Sequence, residues 1–237
     1  MRLDEIVPWG RNLAEYTRMF ALNADDLRGR LLDCGGGPSS FNAELTGKQG
    51  RVVSCDPLYF FSRGDIARRI AEIAPKVMAG ALAARGQYLW NEIPSPEALK
   101  ERRLAAMALF LEDYAAGRAA GRYLNESLPA LPFKARAFEL ALSSHLLFLY
   151  SAHLDEDFHL RAIREMCRVA KEARIFPLVD LDGNPSPHLE PVLAALRQQG
   201  CGVWVEPVPY EFQRGANRML RVSAPVQVQN AKVRIFD

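Results

Sequence analysis

Short apolar runs alternating with helix-patterned segments predict a doubly wound α/β protein for this 237-residue chain. Two runs carry the prediction: Arg30-Leu31-Leu32-Asp33-Cys34, and Arg51-Val52-Val53-Ser54-Cys55-Asp56. Between them stand the turn Gly35-Gly36-Gly37-Pro38-Ser39-Ser40 and a short helix over 40–45, closing in a turn at 47–50. Strand, helix, strand is a βαβ unit, and the handedness of such crossovers makes the strands parallel neighbours.

The other elements follow in order. Residues 1–28 read as an N-terminal helical arm, with Leu13, Tyr16, Phe20 and Leu27 as its apolar face and Trp9-Gly10 as its entry turn. Residues 61–120 read as a helical insertion. Ile66, Ile70, Ile73, Val77 and Leu82 mark one helical face, and Leu99, Leu104, Met107, Leu111 and Tyr114 mark another. Pro75 is expected to kink or divide the first of these helices. Strand text resumes at 123–125, 138–143 and 174–179, with a helix over 156–170 before the last. A final helix over 187–199 stops at Gly200, and runs at 203–208 and 219–222 form a closing pair around the polar loop 210–217.

Composition excludes several classes. Hydrophobic types are 49% and charged types 24%, which suits one globular domain with a buried core. A net charge of +2 lacks the basic field of a dedicated polyanion binder. Cys34, Cys55, Cys167 and Cys201 form no CxxC pair, so neither a disulfide framework nor a metal site is expected. No apolar run approaches the ~20 residues of a membrane span. The acids in Met1-Arg2-Leu3-Asp4-Glu5 oppose a signal peptide, so a cytoplasmic protein is expected.

A glycine turn after the first strand of an open sheet lets a ligand approach backbone amides, and an acid ending the second strand can accept both hydroxyls of a ribose. Gly35, Gly37 and Asp56 supply these features. Asp56 stands 21 residues after Gly35, against the ~20 typical of a nucleoside-binding unit. The third glycine of a dinucleotide fingerprint falls on Ser40, and Gly47-Lys48-Gln49 is no P-loop.

With these residues in place, the sequence resembles the class I S-adenosylmethionine-dependent methyltransferases. Leu32-Asp33-Cys34-Gly35-Gly36-Gly37 is similar to that family's first motif and Val53-Ser54-Cys55-Asp56 to its second. The segment 122–133 resembles its third strand, and Phe138-Glu139-Leu140-Ala141-Leu142-Ser143-Ser144-His145 its fourth-strand motif. The likeness covers about 30–60 and 120–225. Trp9-Gly10-Arg11 and Tyr210-Glu211-Phe212-Gln213 resemble an uncharacterised bacterial branch of the family. The pattern departs at Ser39 for the third glycine, Ser127 for an adenine-contacting acid, and Glu139 for the fourth-strand acid.

The resemblance implies a seven-stranded, mostly parallel Rossmann-like sheet, S-adenosylmethionine as cofactor, and a small-molecule methyl acceptor. By it, Asp33 and Gly35 hold the amino acid end of the cofactor, Asp56 the ribose, and Ser127 with Leu128 the adenine, with Gly37 and Ser143 also in the cofactor site. The strand ends at Ser143-Ser144-His145, Asp180-Leu181-Asp182 and Tyr210 should border the acceptor. His145 is the candidate base, while His153 and His159 read as surface residues. Ser144, Asp180, Tyr210, Arg214 and Asn217 are the candidate acceptor contacts. Asp180, Asp182 and Asn184 make a poor metal loop. The insertion is either a lid over the acceptor or a packing or dimer element. The Arg161/Arg164/Arg168/Lys171 stripe leaves an RNA methyltransferase as an alternative, although no Asn-Pro-Pro-Tyr-like motif follows the fourth strand. A non-catalytic nucleoside-binding module is the third reading.

Overall fold

The computed structural model describes residues 7–225, so residues 1–6 of the arm, including the stretch read against a signal peptide, lie outside the described residues. Seven strands form one sheet: β1 (Arg30–Cys34), β2 (Arg51–Cys55), β3 (Tyr123–Leu124), β4 (Phe138–Ser144), β5 (Ala170–Phe176), β6 (Gly202–Pro207) and β7 (Arg218–Ser223). Their order is β3-β2-β1-β4-β5-β7-β6. Strands β1 to β5 pair in parallel, and β7 runs antiparallel to both β5 and β6. The mostly parallel, doubly wound sheet is as expected. The chain order reverses between β1 and β4, and the crevice beyond their carboxyl ends is where such sheets bind ligands.

Both faces of the central strands are buried, as a parallel sheet requires. Leu31, Leu140 and Leu142 pack on one side with the arm helix α1 (Leu13–Met19) and with α3 (Phe41–Gly47). Leu32 and Ala141, alternating with them, pack on the other side with α6 (Glu156–Val169) and α7 (Leu189–Gln198). Between α1 and β1 a short helix α2 (Ala24–Arg28) turns the arm into the sheet. A capping box fixes the start of α1: Asn12 Oδ1 accepts the Glu15 N–H at 2.9 Å, and Glu15 Oε2 accepts the Asn12 N–H at 3.2 Å.

The β2–β3 connection contains α4 (Arg63–Ala83) and α5 (Pro96–Ala119). Ile66, Ile70, Met107, Phe110 and Tyr114 share a cluster with Tyr59 and Tyr123. At the end of α5, Arg122 grips Asp113 through two bonds of 2.7 and 2.6 Å, fixing the helix beside β3.

Several expectations change. Pro75 does not divide α4, which runs on through it; one missing N–H is outweighed by the continuous face of Ile66, Ile70, Ile73 and Val77. Leu82 and Leu104 are 56% and 37% exposed and belong to no buried face. β5 begins at Ala170, four residues before the expected start, and stops at Phe176 because Pro177 has no N–H for the ladder. His159 is fully buried, not a surface residue. Its Nε2 accepts the Phe148 N–H at 2.9 Å, and Nδ1 lies 2.6 Å from the Asp155 carbonyl. Among the described residues no helix is long and apolar enough to cross a membrane.

Candidate functional site

A cavity of about 430 Å³ opens at the carboxyl ends of β1, β2 and β4. Gly35, Gly37, Asp56, Ser127, Leu128, Ser144 and His145 all line it, so the structure brings these separated segments together. Gly37 sits at φ +53°, and a Cβ there would find nothing nearer than Asp56 Oδ2 at 4.0 Å. The glycine backbone therefore faces open space.

Asp56 follows β2 and caps a short 3-10 turn, accepting the Gly37 N–H at 2.9 Å and the Leu58 N–H at 2.7 Å. Burial raises its pKa, and these two amide bonds oppose the rise. An ionised carboxylate has about four acceptor sites, so roughly two remain.

Asp33 is not in the cavity wall. It lies behind the turn, where a Cβ on Gly36 would come within 2.4 Å of its Oδ2. Its carboxylate accepts the Tyr16 hydroxyl at 3.1 Å and the Ser54 hydroxyl at 3.0 Å. Burial pushes its pKa up to about 7, against those two bonds. Ser143 is also enclosed, with no partner for its hydroxyl, and does not reach the cavity.

The arm forms a whole wall of the cavity, which sequence reasoning missed. Pro8, Trp9, Gly10, Arg11 and Tyr16 line it. A Cβ on Gly10 would lie 2.0 Å from the Pro38 carbonyl oxygen, so only glycine lets the arm close on the turn. The Arg11 carbonyl accepts from the Ser39 hydroxyl at 2.6 Å and the Ser40 N–H at 3.0 Å. Ser39, standing where a third glycine was expected, is thus an anchor. Trp9-Gly10-Arg11 was the available signal.

A smaller chamber of about 90 Å³ adjoins the cavity, sharing Trp9, Arg11, Val77, His145, Leu149 and Leu181 with it. Arg103 of α5 and Tyr210 line this chamber alone. Arg103 Nη1 donates to Glu15 Oε2 at 2.5 Å, and Tyr210 donates to Glu15 Oε1 at 3.1 Å. Burial alone would raise the Glu15 pKa, but Arg103 and then Arg11 hold it down at about 2. Burial and the Arg103 charge lower Arg11 to about 10.

His145 stands at the junction of the two spaces, its Nδ1 2.9 Å from Ser144 Oγ and its ring edge-on to Phe176. Burial, then the Arg11 and Arg103 charges, depress its pKa well below 6.5. The imidazole is therefore neutral at pH 7 but a weak base while those charges are uncompensated.

The structure does not bring Asp180, Arg214 or Asn217 to either space. Asp180 Oδ1 accepts the N–H groups of Asp182 and Asn184, both at 2.9 Å, closing its own turn. Arg214 Nε donates to the Gly86 carbonyl at 2.9 Å, tying its loop to the connection between α4 and α5. Asn217 Nδ2 donates to Glu211 at 3.2 Å. Glu139 lies at the opposite end of β4, accepting the Arg30 N–H at 2.6 Å. Among the described residues no group of three or more His, Cys, Asp or Glu could hold a metal ion.

No family model matches the chain. It is 33% identical over 223 residues to the uncharacterised protein MJ0045 of the archaeon Methanocaldococcus jannaschii, covering 93% of this chain and 97% of that protein. The chain belongs to the family of MJ0045. This relative is archaeal and lends the bacterial branch no support. Solved structures similar to the chain include several S-adenosylmethionine-dependent methyltransferases. The mitomycin 7-O-methyltransferase MmcR is 14% identical with TM-score 0.48, over 89% of this chain and 53% of that one. The chain thus spans about half the length of MmcR. Magnesium protoporphyrin IX methyltransferase of Synechocystis PCC 6803, solved with bound S-adenosylmethionine, is 12% identical with TM-score 0.46, over 89% and 77%. A methyltransferase of Aquifex aeolicus is 14% identical with TM-score 0.40, over 82% and 80%. Likeness at this level gives no residue a role.

Proposed function

We propose that this chain is an S-adenosylmethionine-dependent methyltransferase acting on a small-molecule acceptor. The observation that carries this reading is the Gly37 N–H to Asp56 Oδ2 bond, which joins the glycine turn and the ribose-type acid at one cavity. The donor set fits the cofactor. Asp56 keeps acceptor sites for two ribose hydroxyls, Gly37 leaves the turn open, and about 430 Å³ suits a ligand of nucleoside size.

When bound, S-adenosylmethionine supplies a methyl group activated by its sulfonium. Asp56 would hold the ribose, Ser127 and Leu128 the adenine, and the Gly35–Gly37 backbone with Tyr16 the amino acid end. Asp33 would act through Tyr16, whose hydroxyl it receives. His145, bordering both spaces, would orient the acceptor and take its proton where the acceptor has one to lose. Val77 of α4 lines both spaces, which supports the insertion over 61–120 as a cover that keeps water from the reacting atoms.

The basic stripe of α6 favours RNA no further, because its cations are engaged. Arg161 pairs with Asp157, Arg168 with Glu165, and Arg164 Nε donates to Gln199, while Lys171 stands on β5 and pairs with Glu139 at 3.8 Å. Incubation of the protein with methyl-labelled cofactor and either fractionated metabolites or bulk RNA tests the reading. Label in a metabolite fraction is expected. Label in RNA alone would turn the reading to an RNA methyltransferase, and no label with retained cofactor binding would favour a non-catalytic module.

A further inference from the structure

The small chamber has a charge excess that the fold does not use. Two guanidiniums, Arg11 and Arg103, border it, and the carboxylate they share, Glu15, lies behind its wall. Arg103 is 1% exposed, and its Nε has no hydrogen-bond partner; the Nε of Arg11 is equally orphaned. A buried donor left without a partner is disfavoured, and a guanidinium presents its donors as a planar fork matched to a carboxylate. Arg11 borders the larger cavity as well, where it is within reach of a cofactor. Arg103 does not, so of the two spaces its side chain borders the chamber alone.

The rest of the wall is apolar and aromatic apart from Gln213, whose amide donates to the Asp180 and Leu181 carbonyls at 3.3 Å. Tyr88 and Phe212 stack with centroids 4.9 Å apart, and Leu99, Ala81 and Phe176 complete the wall. Among the described residues lining the chamber there is no carboxylate. A space of about 90 Å³ exceeds several-fold the roughly 10–15 Å³ that a single water needs.

Building on the methyltransferase reading, we propose that the acceptor is a small carboxylic acid whose carboxylate is held by Arg103 and Arg11 in this chamber. Its ring or chain lies against Tyr88 and Phe212, and its nucleophilic atom points past His145 into the larger cavity. The bound anion also offsets the two charges that weaken His145 as a base. Arg103 is thereby a specificity-determining residue, selecting acids over their neutral analogues.

The test is a calorimetric titration of the intact protein with benzoate, 4-hydroxybenzoate and phenylacetate, and with the corresponding amides. Each is run with and without saturating S-adenosylhomocysteine. At least one acid should bind tenfold or more tighter than its amide. Arg103→Met should abolish that preference and leave S-adenosylhomocysteine affinity within twofold. Ala81→Leu, which fills the chamber and leaves both arginines in the chain, should also lose acid binding. If Arg103→Met does not fold, Ala81→Leu decides. Equal binding of acids and amides, no binding of any acid, or a preference that survives in Ala81→Leu would overturn the proposal. Failure of S-adenosylhomocysteine to bind would instead overturn the cofactor reading, and an acid preference measured without it would leave the chamber assignment standing.

Discussion

Arg103 of α5 and Glu15 of α1, 88 residues apart in sequence, meet at 2.5 Å in a fully buried ion pair. The pair pins the insertion to the arm, and the capping box of α1 holds the carboxylate in position for it. Removing one partner of such a pair costs about 3–5 kcal/mol, because the other is left charged and buried. The two removals are not equivalent. Arg103→Met leaves Glu15 facing Arg11, whereas Glu15→Gln leaves two cations with no counter-charge. Urea denaturation at pH 7 should give the lower midpoint for Glu15→Gln. Equal midpoints would mean that Arg11 does not act on Glu15.

Asp33 makes stability depend on pH. Burial holds it up at about 7 in the folded chain, against about 3.8 when unfolded, so folding favours its protonated form. The stability this group contributes is full below about pH 4 and is lost as the pH rises through 7, a change of about 4 kcal/mol. Asp33→Asn keeps an acceptor for Tyr16 and cannot ionise. It should match the wild type at pH 4 and exceed it at pH 8, as read by urea midpoints. Parallel pH profiles for the two proteins would rule this out.

His145 should remain neutral well below its ordinary pKa. In ligand-free protein its ring nitrogens, followed by NMR, should titrate with a midpoint below 6.5, because burial and two guanidiniums oppose the imidazolium. A midpoint at or above 6.5 would contradict the charge arrangement around the chamber.

Gly37→Ala separates ligand binding from folding. The φ of +53° costs an alanine about 1 kcal/mol, which is a Tm decrease of roughly 2–4 °C at this chain length. The added methyl projects into the cavity, so S-adenosylhomocysteine affinity should fall more than tenfold. A loss of stability with affinity intact would move the ligand away from the turn.

The part of the site that was legible in the sequence is local. The strand, glycine turn and helix around Gly35–Gly37, and Asp56 ending the next strand, are adjacent in the chain and follow from backbone needs. Ala170-Lys171-Glu172-Ala173 reads as more helix by propensity, yet it pairs with β4 on one side and, at Glu172 and Ala173, with β7 on the other. Tertiary pairing overrides the local preference there. The Arg11–Glu15–Arg103–Tyr210 group was illegible, since Tyr210 and Glu15 meet across 195 residues and no spacing rule links them. The same holds for His159, whose burial depends on the backbone of Phe148 turning back over it.

The most direct test of the cofactor reading is isothermal titration of wild type and Asp56→Ala with S-adenosylhomocysteine. The wild type should bind, and the variant should bind more weakly by about 1–3 kcal/mol, roughly five- to 150-fold, the range for losing hydrogen bonds to a charged group. No heat of binding to a folded wild type, or equal affinity in the folded variant, would contradict it.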